Sequence, residues 1–294
     1  MDLSIIIVNW ETREYLRGCL KSIFKNVKGI SYEVIVVDNN SSDGSAEMVK
    51  TEFPDVKLID LDVNTGFAKG NNIGYQLSRG NYIAFLNPDT VIHPNTYETS
   101  IRYLRSHPEV GAVTCKFLNP DGSMQWGFYR RFPDLSTVFF FFTKYGAYID
   151  KKNCRNKYKN IYFYKDKSFN KIEAVEQIGA TFIVSSRAVL ERIGLFDEIF
   201  PIFFNDVDLC KRIWDARFEI HFLNDVTITH FGGGGIKQLD LTKYNRYLSS
   251  GCYHYFRKHH GVVSAILVFF LLLINIFPYY IKRGVNIIKT RRTA

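Results

Sequence analysis

Residues 3 to 106 alternate short runs rich in Ile and Val with stretches of helical periodicity, and each apolar run stops at a cluster of Asn, Asp, Gly or Pro. Leu3 to Val8 is the first run, continuous rather than alternating, as in a strand buried on both faces. Tyr15, Leu16, Cys19, Leu20, Ile23, Phe24 and Val27 then recur at helical spacing and form one apolar stripe. Glu33 to Val37 is a second strand, and the DNNSSDGS that ends it supplies turn and cap residues for a helix near Ala46 to Thr51. A strand at Val56 to Leu61, a helix at Phe67 to Leu77, a strand at Asn81 to Leu86 and a helix from Pro94 to Ser106 complete the series. Strands that alternate with helices imply a mostly parallel, doubly wound α/β sheet. Ligands of such sheets bind beyond the carboxyl ends of the strands, and Asp38, Asn64 and Asp89 each fall just after a strand end.

The second half is less regular. Lys144 to Lys171, rich in Lys, Tyr and Asn, reads as an irregular insertion. A strand at Ala180 to Ser185, a short helix to Ile193, a helix at Leu209 to Trp214 and strands at Phe218 to Leu223 and Val226 to Thr229 follow, with no internal repeat. Val262 to Ile281 carries no charge and is followed by Lys282, Arg283, Lys289, Arg291 and Arg292. Such a length can span a bilayer. A single span below a cytoplasmic body would put the basic tail outside, against the positive-inside tendency. A helix or bent hairpin lying in the inner leaflet, its tail on anionic headgroups, is therefore favoured over a span; a buried soluble helix is the other alternative. The expected division is a catalytic domain over 1–255, with the insertion at about 135–172, and a hydrophobic helix with basic tail over 256–294.

The five cysteines are scattered and form no C-x-x-C pair, which argues against a disulfide framework or zinc knuckle and for a reducing compartment. The N-terminus, MDLSIIIVNW, lacks the basic region and length of a signal peptide. A net charge of +9 attracts polyanions, but no nucleic-acid motif accompanies it, so anionic lipid or phosphorylated substrates are the expected partners.

Several residues are candidates for chemistry. Asp38 at its strand end can accept a hydrogen bond from the imide N–H of uracil or thymine, although Asn39, Asn40, Ser41, Ser42 and Asp43 around it equally suit a turn and helix cap. Asp89 in FLNPDT is a reasonable ligand for Mg²⁺ or Mn²⁺ beside a diphosphate, or else a carboxylate capping a tight turn. Asn64 to Asn72, NTGFAKGNN, offers a Gly-containing loop whose amides could cradle phosphates at a helix N-terminus, without the P-loop pattern. Asp206 and Asp208 stand at i and i+2 behind aromatic residues, a setting that can raise a carboxylate's pKa toward general-base duty; Asp208 is the one expected merely to cap a helix. His230 in THFGGGG can complete a metal site or be structural, and the glycines beside it suit a mobile loop over a ligand.

Taken together, SIIIVNW, VVDNNSSDGS, NTGFAKGNN, FLNPDT, IGATFIVSSRAVLERIGLFDE, FFNDVDLCKR and ITHFGGGG resemble, in order and over about residues 3 to 235, glycosyltransferase family 2 and its rhamnosyltransferase-like branch. The resemblance implies a single nucleotide-sugar-binding α/β domain of the GT-A type. It implies that Asp38 binds the donor's base, that Asp89 and His230 hold Mg²⁺ or Mn²⁺, and that Asp206 is the general base. Asn40, Asn64, Gly66, Asn71, Asn87, Gly179 and Ala180 would line the nucleotide-sugar pocket. Two positions depart from the branch: Asn205 stands where many members have Glu, and Asn87 replaces the first acid of D-x-D. The implied reaction is an inverting transfer from dTDP-L-rhamnose to a lipid-linked saccharide, for a cell-surface polysaccharide, at the cytoplasmic face of the plasma membrane. The alternatives are an inactive nucleotide-sugar-binding protein on the same scaffold, suggested by Asn205, and a nucleotidyltransferase, which IVNWETREYL does not fit.

Overall fold

The computed structural model describes residues 1–232 and 240–273. The chain divides into two compact units, Met1–Arg130 with Ser168–Tyr247, and Arg131–Lys167 with the described chain from Leu248 on.

In the first unit, β1 (Leu3–Asn9) and β2 (Tyr32–Asp38) are buried along almost their whole length, which accounts for their unbroken apolar runs. With β3 (Lys57–Asp60) and β4 (Tyr82–Leu86) they form a parallel block in the order β3-β2-β1-β4. Helices α1 (Arg13–Asn26), α2 (Ser45–Glu52) and α3 (Phe67–Gln76) make the connections within it, and α4 (Thr96–Ser106) follows. α1 buries Leu16, Cys19, Leu20 and Ile23 of the expected stripe. Tyr15 is instead exposed, its ring 5.4 Å from that of Phe231. α3 lies very close to β1: a Cβ on Gly74 would come within 2.5 Å of Ile6 Cγ2, so a larger residue would push the helix off the sheet.

Beyond β4 the sheet is mixed, and the expectation of a mostly parallel sheet holds only for the first block. β10 (Phe182–Ser186) runs antiparallel between β4 and β6 (Val110–Leu118). β11 (Glu219–His230) is parallel to β6, while β5 (Thr90–Ile92) and β8 (Glu173–Ala174) pair with β11 antiparallel. The short strand β9 (Gln177–Ile178) leads into β10 with no helix between them. β9 also pairs with β7 (Tyr129–Arg130) in a separate two-stranded ladder. β6 is not among the strands expected above, since Thr114 and Lys116 interrupt its apolar run. The two strands expected at 218–223 and 226–229 are one strand, β11, whose register against β6 slips between Leu223 and Thr227.

In the second unit, the segment expected to be irregular carries three short helices, α5 (Leu135–Phe142), α6 (Lys144–Asn153) and α7 (Lys157–Tyr162). Side chains start each of them: Asp134 accepts from Thr137 N, Thr143 from Gly146 N, and buried Asp150 from Tyr158 N and Lys159 N. α10 (Leu241–His259) begins in the first unit and ends in the second, and residues 261–273 are helical. Among the described residues no helix is long and apolar enough to cross a membrane. The rest of the apolar run and the basic tail lie outside the described residues. Cys19, Cys115, Cys210 and Cys252 are buried, and burial pushes the thiols of Cys19, Cys210 and Cys252 up to about 12, so they are inert as nucleophiles at neutral pH.

Glu33 locks the amino-terminal ends of the first block. Its carboxylate accepts from Ser4 Oγ at 2.6 Å, Lys57 Nζ at 2.5 Å and Arg79 N at 2.6 Å. Burial by itself would raise this group, but the bonds from Lys57, Ser4 and Arg79 outweigh it and hold the carboxyl below its ordinary value. A depressed carboxylate adds stability above its unfolded pKa and loses it as the pH falls through the folded value. Glu33→Gln is therefore expected to destabilise by about 1–3 kcal/mol at neutral pH. The difference should fade as the pH drops below about 4.3. Urea unfolding at pH 7 and pH 3 measures this, and an equal loss at the two pH values would contradict it.

Candidate active site

β1 and β2 end side by side, with Asn9 paired in register with Asp38. Asp38 is buried and accepts from Asn9 Nδ2 at 2.7 Å, from Ser41 Oγ at 2.8 Å and from Ser41 N at 2.8 Å. Asp43 in the same loop accepts from Arg13 N at the start of α1 and from Ser45 N at the start of α2. The turn-and-cap reading of DNNSSDGS is thus realised, with Asp43 as the capping residue. Asp38 is the carboxylate that holds the turn at the strand end, and Asn40 is exposed beside it.

In the loop after β3, two of the amides expected to face phosphates are taken up within the protein. The first amides of α3, Phe67 N and Ala68 N, donate to Pro201 O at 2.8 and 3.3 Å. Gly66, at φ 84°, brings the chain into this contact, and a Cβ there would lie 3.1 Å from the same carbonyl oxygen. Asn64 Oδ1 accepts from Gly66 N, and Asn71, buried within α3, donates to Phe67 O. A protein carbonyl therefore takes the place at this helix N-terminus that a phosphate oxygen would occupy.

At the end of β4 the chain turns through Asn87-Pro88-Asp89 into β5, which pairs with the last residues of β11 so that Thr90 faces His230. Phe231 N also donates to Asp89 O. Backbone pairing thus sets His230 Nε2 3.4 Å from Asp89 Oδ1, with both side chains buried. The other ring nitrogen, Nδ1, lies 2.9 Å from Gln125 Oε1. Gln125 Nε2 donates to Asn119 Oδ1 and to His230 O, so its oxygen must face the ring and Nδ1 must carry the proton. A protonated ring would pair with the Asp89 carboxylate directly, and a ring without the Nε2 proton would turn a lone pair toward it. In the second state the two groups can share a cation. A histidine whose far nitrogen is fixed by an amide oxygen is the usual state of a metal ligand. The pair fits Mg²⁺ or Mn²⁺ as two protein ligands, with phosphate oxygens or water to complete the shell. Among the described residues no group of three or more His, Cys, Asp or Glu is placed to hold a metal.

The third part of the site is α9 (Asn205–Asp215), which starts earlier than expected and puts Asp206 and Asp208 in its first turn. They differ in kind. Asp208 is fully buried and accepts from Arg212 Nε at 2.9 Å, while the same guanidinium donates to the carbonyls of Ile193, Gly194 and Leu195 at the end of α8 (Arg187–Ile193). Contrary to expectation, Asp208 therefore does not cap α9 but lies inside it and fastens it through Arg212 to the end of α8. Asp206 remains partly accessible; its Oδ2 accepts from Arg130 Nη2 at 3.1 Å and its Oδ1 from Val207 N. Asn205 is buried, and its amide donates to Ile202 O at 2.6 Å and Phe200 O at 3.4 Å. Its amide nitrogen thus fastens the 200–204 loop to the start of α9.

One segment, 125–130, links these parts. Gln125 orients His230, and the Phe128 ring meets the His230 ring edge-on at 5.2 Å. Phe128 O accepts from Gly179 N, a Cβ on Gly179 would press on the Phe128 ring at 3.2 Å, and Arg130 reaches Asp206. Asn87 joins from the β4 side, its N donating to Thr181 O, one residue past Ala180. Asp89, His230, Asp206, Asn87, Gly179 and Ala180 thus belong to one connected neighbourhood, and Gly66 reaches it less directly, through Pro201 and the 200–204 loop that leads into Asp206. Gln125, Phe128 and Arg130 escaped the sequence reading. The signal available was MQWGFYRR, aromatics beside two arginines, directly after an unassigned strand. Residues 233–239, which include most of the expected glycine loop, lie outside the described residues.

The model of the family described as "Glycosyl transferase family 2" matches residues 4–188, more than half of the chain. The chain belongs to that family. It is a glycosyltransferase, and Asp206 and His230 lie beyond the matched stretch. This glycosyltransferase is similar to Rhamnosyltransferase WbbL of Escherichia coli (strain K12), 25% identical over 77% of this chain and 82% of that one. It is also 25% identical to Low-salt glycan biosynthesis hexosyltransferase Agl10 of Haloferax volcanii over 72% of this chain, spanning 61% of that relative. Among solved structures, mannosyltransferase PcManGT from Pyrobaculum calidifontis, in complex with GDP-Man and Mn²⁺, has the same fold at 14% identity, with a TM-score of 0.59 over 99% of this chain and 75% of that one. The fold is thus GT-A-like, a mixed sheet flanked by helices.

The Asn205 amide gives a test of this glycosyltransferase's local design. Asn205→Asp would turn an acceptor toward two carbonyl oxygens and shift the start of α9. Displacements on the order of an ångström in a catalytic group can lower rates about 100-fold. Release of nucleoside diphosphate is expected to fall by about 10- to 100-fold, with a lower melting temperature. Unchanged release would show that the 200–204 loop does not place Asp206.

Proposed function

We propose that this glycosyltransferase moves a sugar from a nucleoside-diphosphate donor to a hydroxyl of a lipid-linked saccharide by a single inverting displacement, with Asp206 as general base. The observation that carries this reading is the placement of Asp206, a partly accessible carboxylate at the start of α9, one short segment away from the buried Asp89–His230 pair. Asp206 accepts the hydroxyl proton as the oxygen attacks the anomeric carbon, and Arg130 holds its Oδ2 in position meanwhile. Attack from the face opposite the leaving diphosphate inverts the configuration and needs no second carboxylate as nucleophile. Asp89 and His230 are the residues that would hold Mg²⁺ or Mn²⁺, which when bound neutralises charge on the leaving diphosphate.

Asp38 is proposed to meet the base: a carboxylate oxygen can accept two bonds, and Oδ2 takes one from Ser41 N. Asn40, Asn87, Gly179 and Ala180 are proposed to line the donor and sugar pocket. The likeness to Rhamnosyltransferase WbbL supports dTDP-L-rhamnose as donor. A lipid-linked acceptor, a role in cell-surface polysaccharide synthesis and a station on the cytoplasmic face of the plasma membrane agree with the apolar run and basic tail of 256–294, set beside a catalytic domain over 1–255. Asn205, which suggested an inactive scaffold, bonds to loop carbonyls and no longer favours one.

The test is release of nucleoside diphosphate from dTDP-rhamnose, UDP-hexoses and GDP-mannose in detergent, with a membrane lipid extract. Asp206→Asn is expected to lower release from the active donor by about 10²- to 10⁴-fold while donor binding persists. Release by the variant at the wild-type rate would overturn the assignment of the base.

A further inference from the structure

The helix over 261–273 is apolar on its exposed side as well as on its buried side. Its buried side carries Ala265, Val268 and Leu272, exposed by 0%, 0% and 9%. Its outward side carries Val262, Val263, Ile266, Leu267, Phe269 and Phe270, exposed by between 47% and 74%. At 3.6 residues per turn these six occupy one continuous arc of about 160°, and the buried three lie opposite. Large apolar residues clustered on one exposed face mark an interaction surface. Immediately before the helix, Arg257, Lys258 and His260 are exposed. After it, the sequence stays apolar to Ile281 and then becomes basic through Lys282, Arg283, Lys289, Arg291 and Arg292.

We propose that the 261–273 helix lies in the plane of an anionic phospholipid leaflet, with the face of Val262, Val263, Ile266, Leu267, Phe269 and Phe270 in the acyl region and Arg257 and Lys258 on headgroup phosphates. This deepens the membrane-surface station given under the proposed function and rests on it. The sequence alone offers a spanning helix and an in-plane helix for the same run. The buried side excludes a lone span for 261–273, because a helix crossing the bilayer by itself is wrapped by lipid all round, whereas Ala265, Val268 and Leu272 are covered by protein. An apolar arc between basic flanks matches a leaflet's own profile, acyl chains beneath anionic headgroups.

The experiment uses the full chain and vesicles of phosphatidylcholine with and without phosphatidylglycerol. Flotation is expected to show binding that strengthens with phosphatidylglycerol and weakens with salt. Replacing Val263, Ile266, Leu267 and Phe270 with Ser should reduce binding by at least about tenfold, with circular dichroism unchanged because these side chains are outside the core. Depth is read by placing Trp at Val263 or Phe270, which share one face a heptad apart, and quenching with lipids brominated at shallow or deep acyl positions. An in-plane helix puts the two probes at the same shallow depth. A span would separate them by about 10 Å along the normal, and that result would overturn the proposal. So would absence of quenching at the two probes, or a Ser variant that floats like the wild type, since either means that protein, whether a second copy or residues 274–294, covers the face. The two readings fail separately: the Ser variant should release nucleoside diphosphate in detergent at the wild-type rate, and Asp206→Asn should float like the wild type.

Discussion

His230 Nε2 and Asp89 Oδ1 stand 3.4 Å apart in a buried setting, and much of the first unit serves to keep them there. The contact is made by backbone. β5 is only three residues long, yet its pairing with the end of β11 puts Thr90 opposite His230 and brings Phe231 N to Asp89 O. The slip in β11 between Leu223 and Thr227 restores the pairing with β6 that carries the strand to that end. Gln125 completes the arrangement by holding a proton on Nδ1, which leaves Nε2 as the nitrogen turned toward Asp89.

A second constraint joins the start of α3 to Asp206. The 200–204 loop carries a carbonyl, that of Pro201, into the N-terminus of α3, and two others, of Phe200 and Ile202, onto the Asn205 amide. Phe204 then takes a left-handed conformation, φ 68°, and α9 begins. The loop that satisfies the amides of one helix thus fixes where the next one starts, and Asp206 stands in that first turn. Below it, Asp208 and Arg212 tie α9 to the end of α8, so Asp206 sits on a helix anchored at both sides.

The parts legible in the sequence are those where one strand or helix explains itself. The runs Leu3 to Val8 and Glu33 to Val37 have no other reading than buried parallel strands, and the carboxylates after the strand ends announce a site. Other parts depend on partners far along the chain. β6 is hidden because Thr114, inside an otherwise apolar strand, is accommodated by a bond to Phe182 O that only the β10 pairing creates. In NTGFAKGNN nothing local reveals that Pro201 O will reach Phe67 N and occupy an amide expected to face a phosphate. Arg130 is invisible as a site residue until β7 pairs with β9 and carries it to Asp206. Asp208 reads as a cap because its partner, Arg212, looks like any arginine on a helix.

The account turns on Asp89 and His230 forming one cation site for the donor diphosphate. The most direct measurement is Mn²⁺ binding, followed by electron paramagnetic resonance, with dTDP present and absent. Wild-type protein is expected to bind Mn²⁺ more tightly with the nucleotide. Asp89→Asn and His230→Gln should each weaken the ternary complex by at least about tenfold, and Gln125→Leu should weaken it as well by releasing the ring. Wild-type affinity in Asp89→Asn and His230→Gln would contradict the assignment.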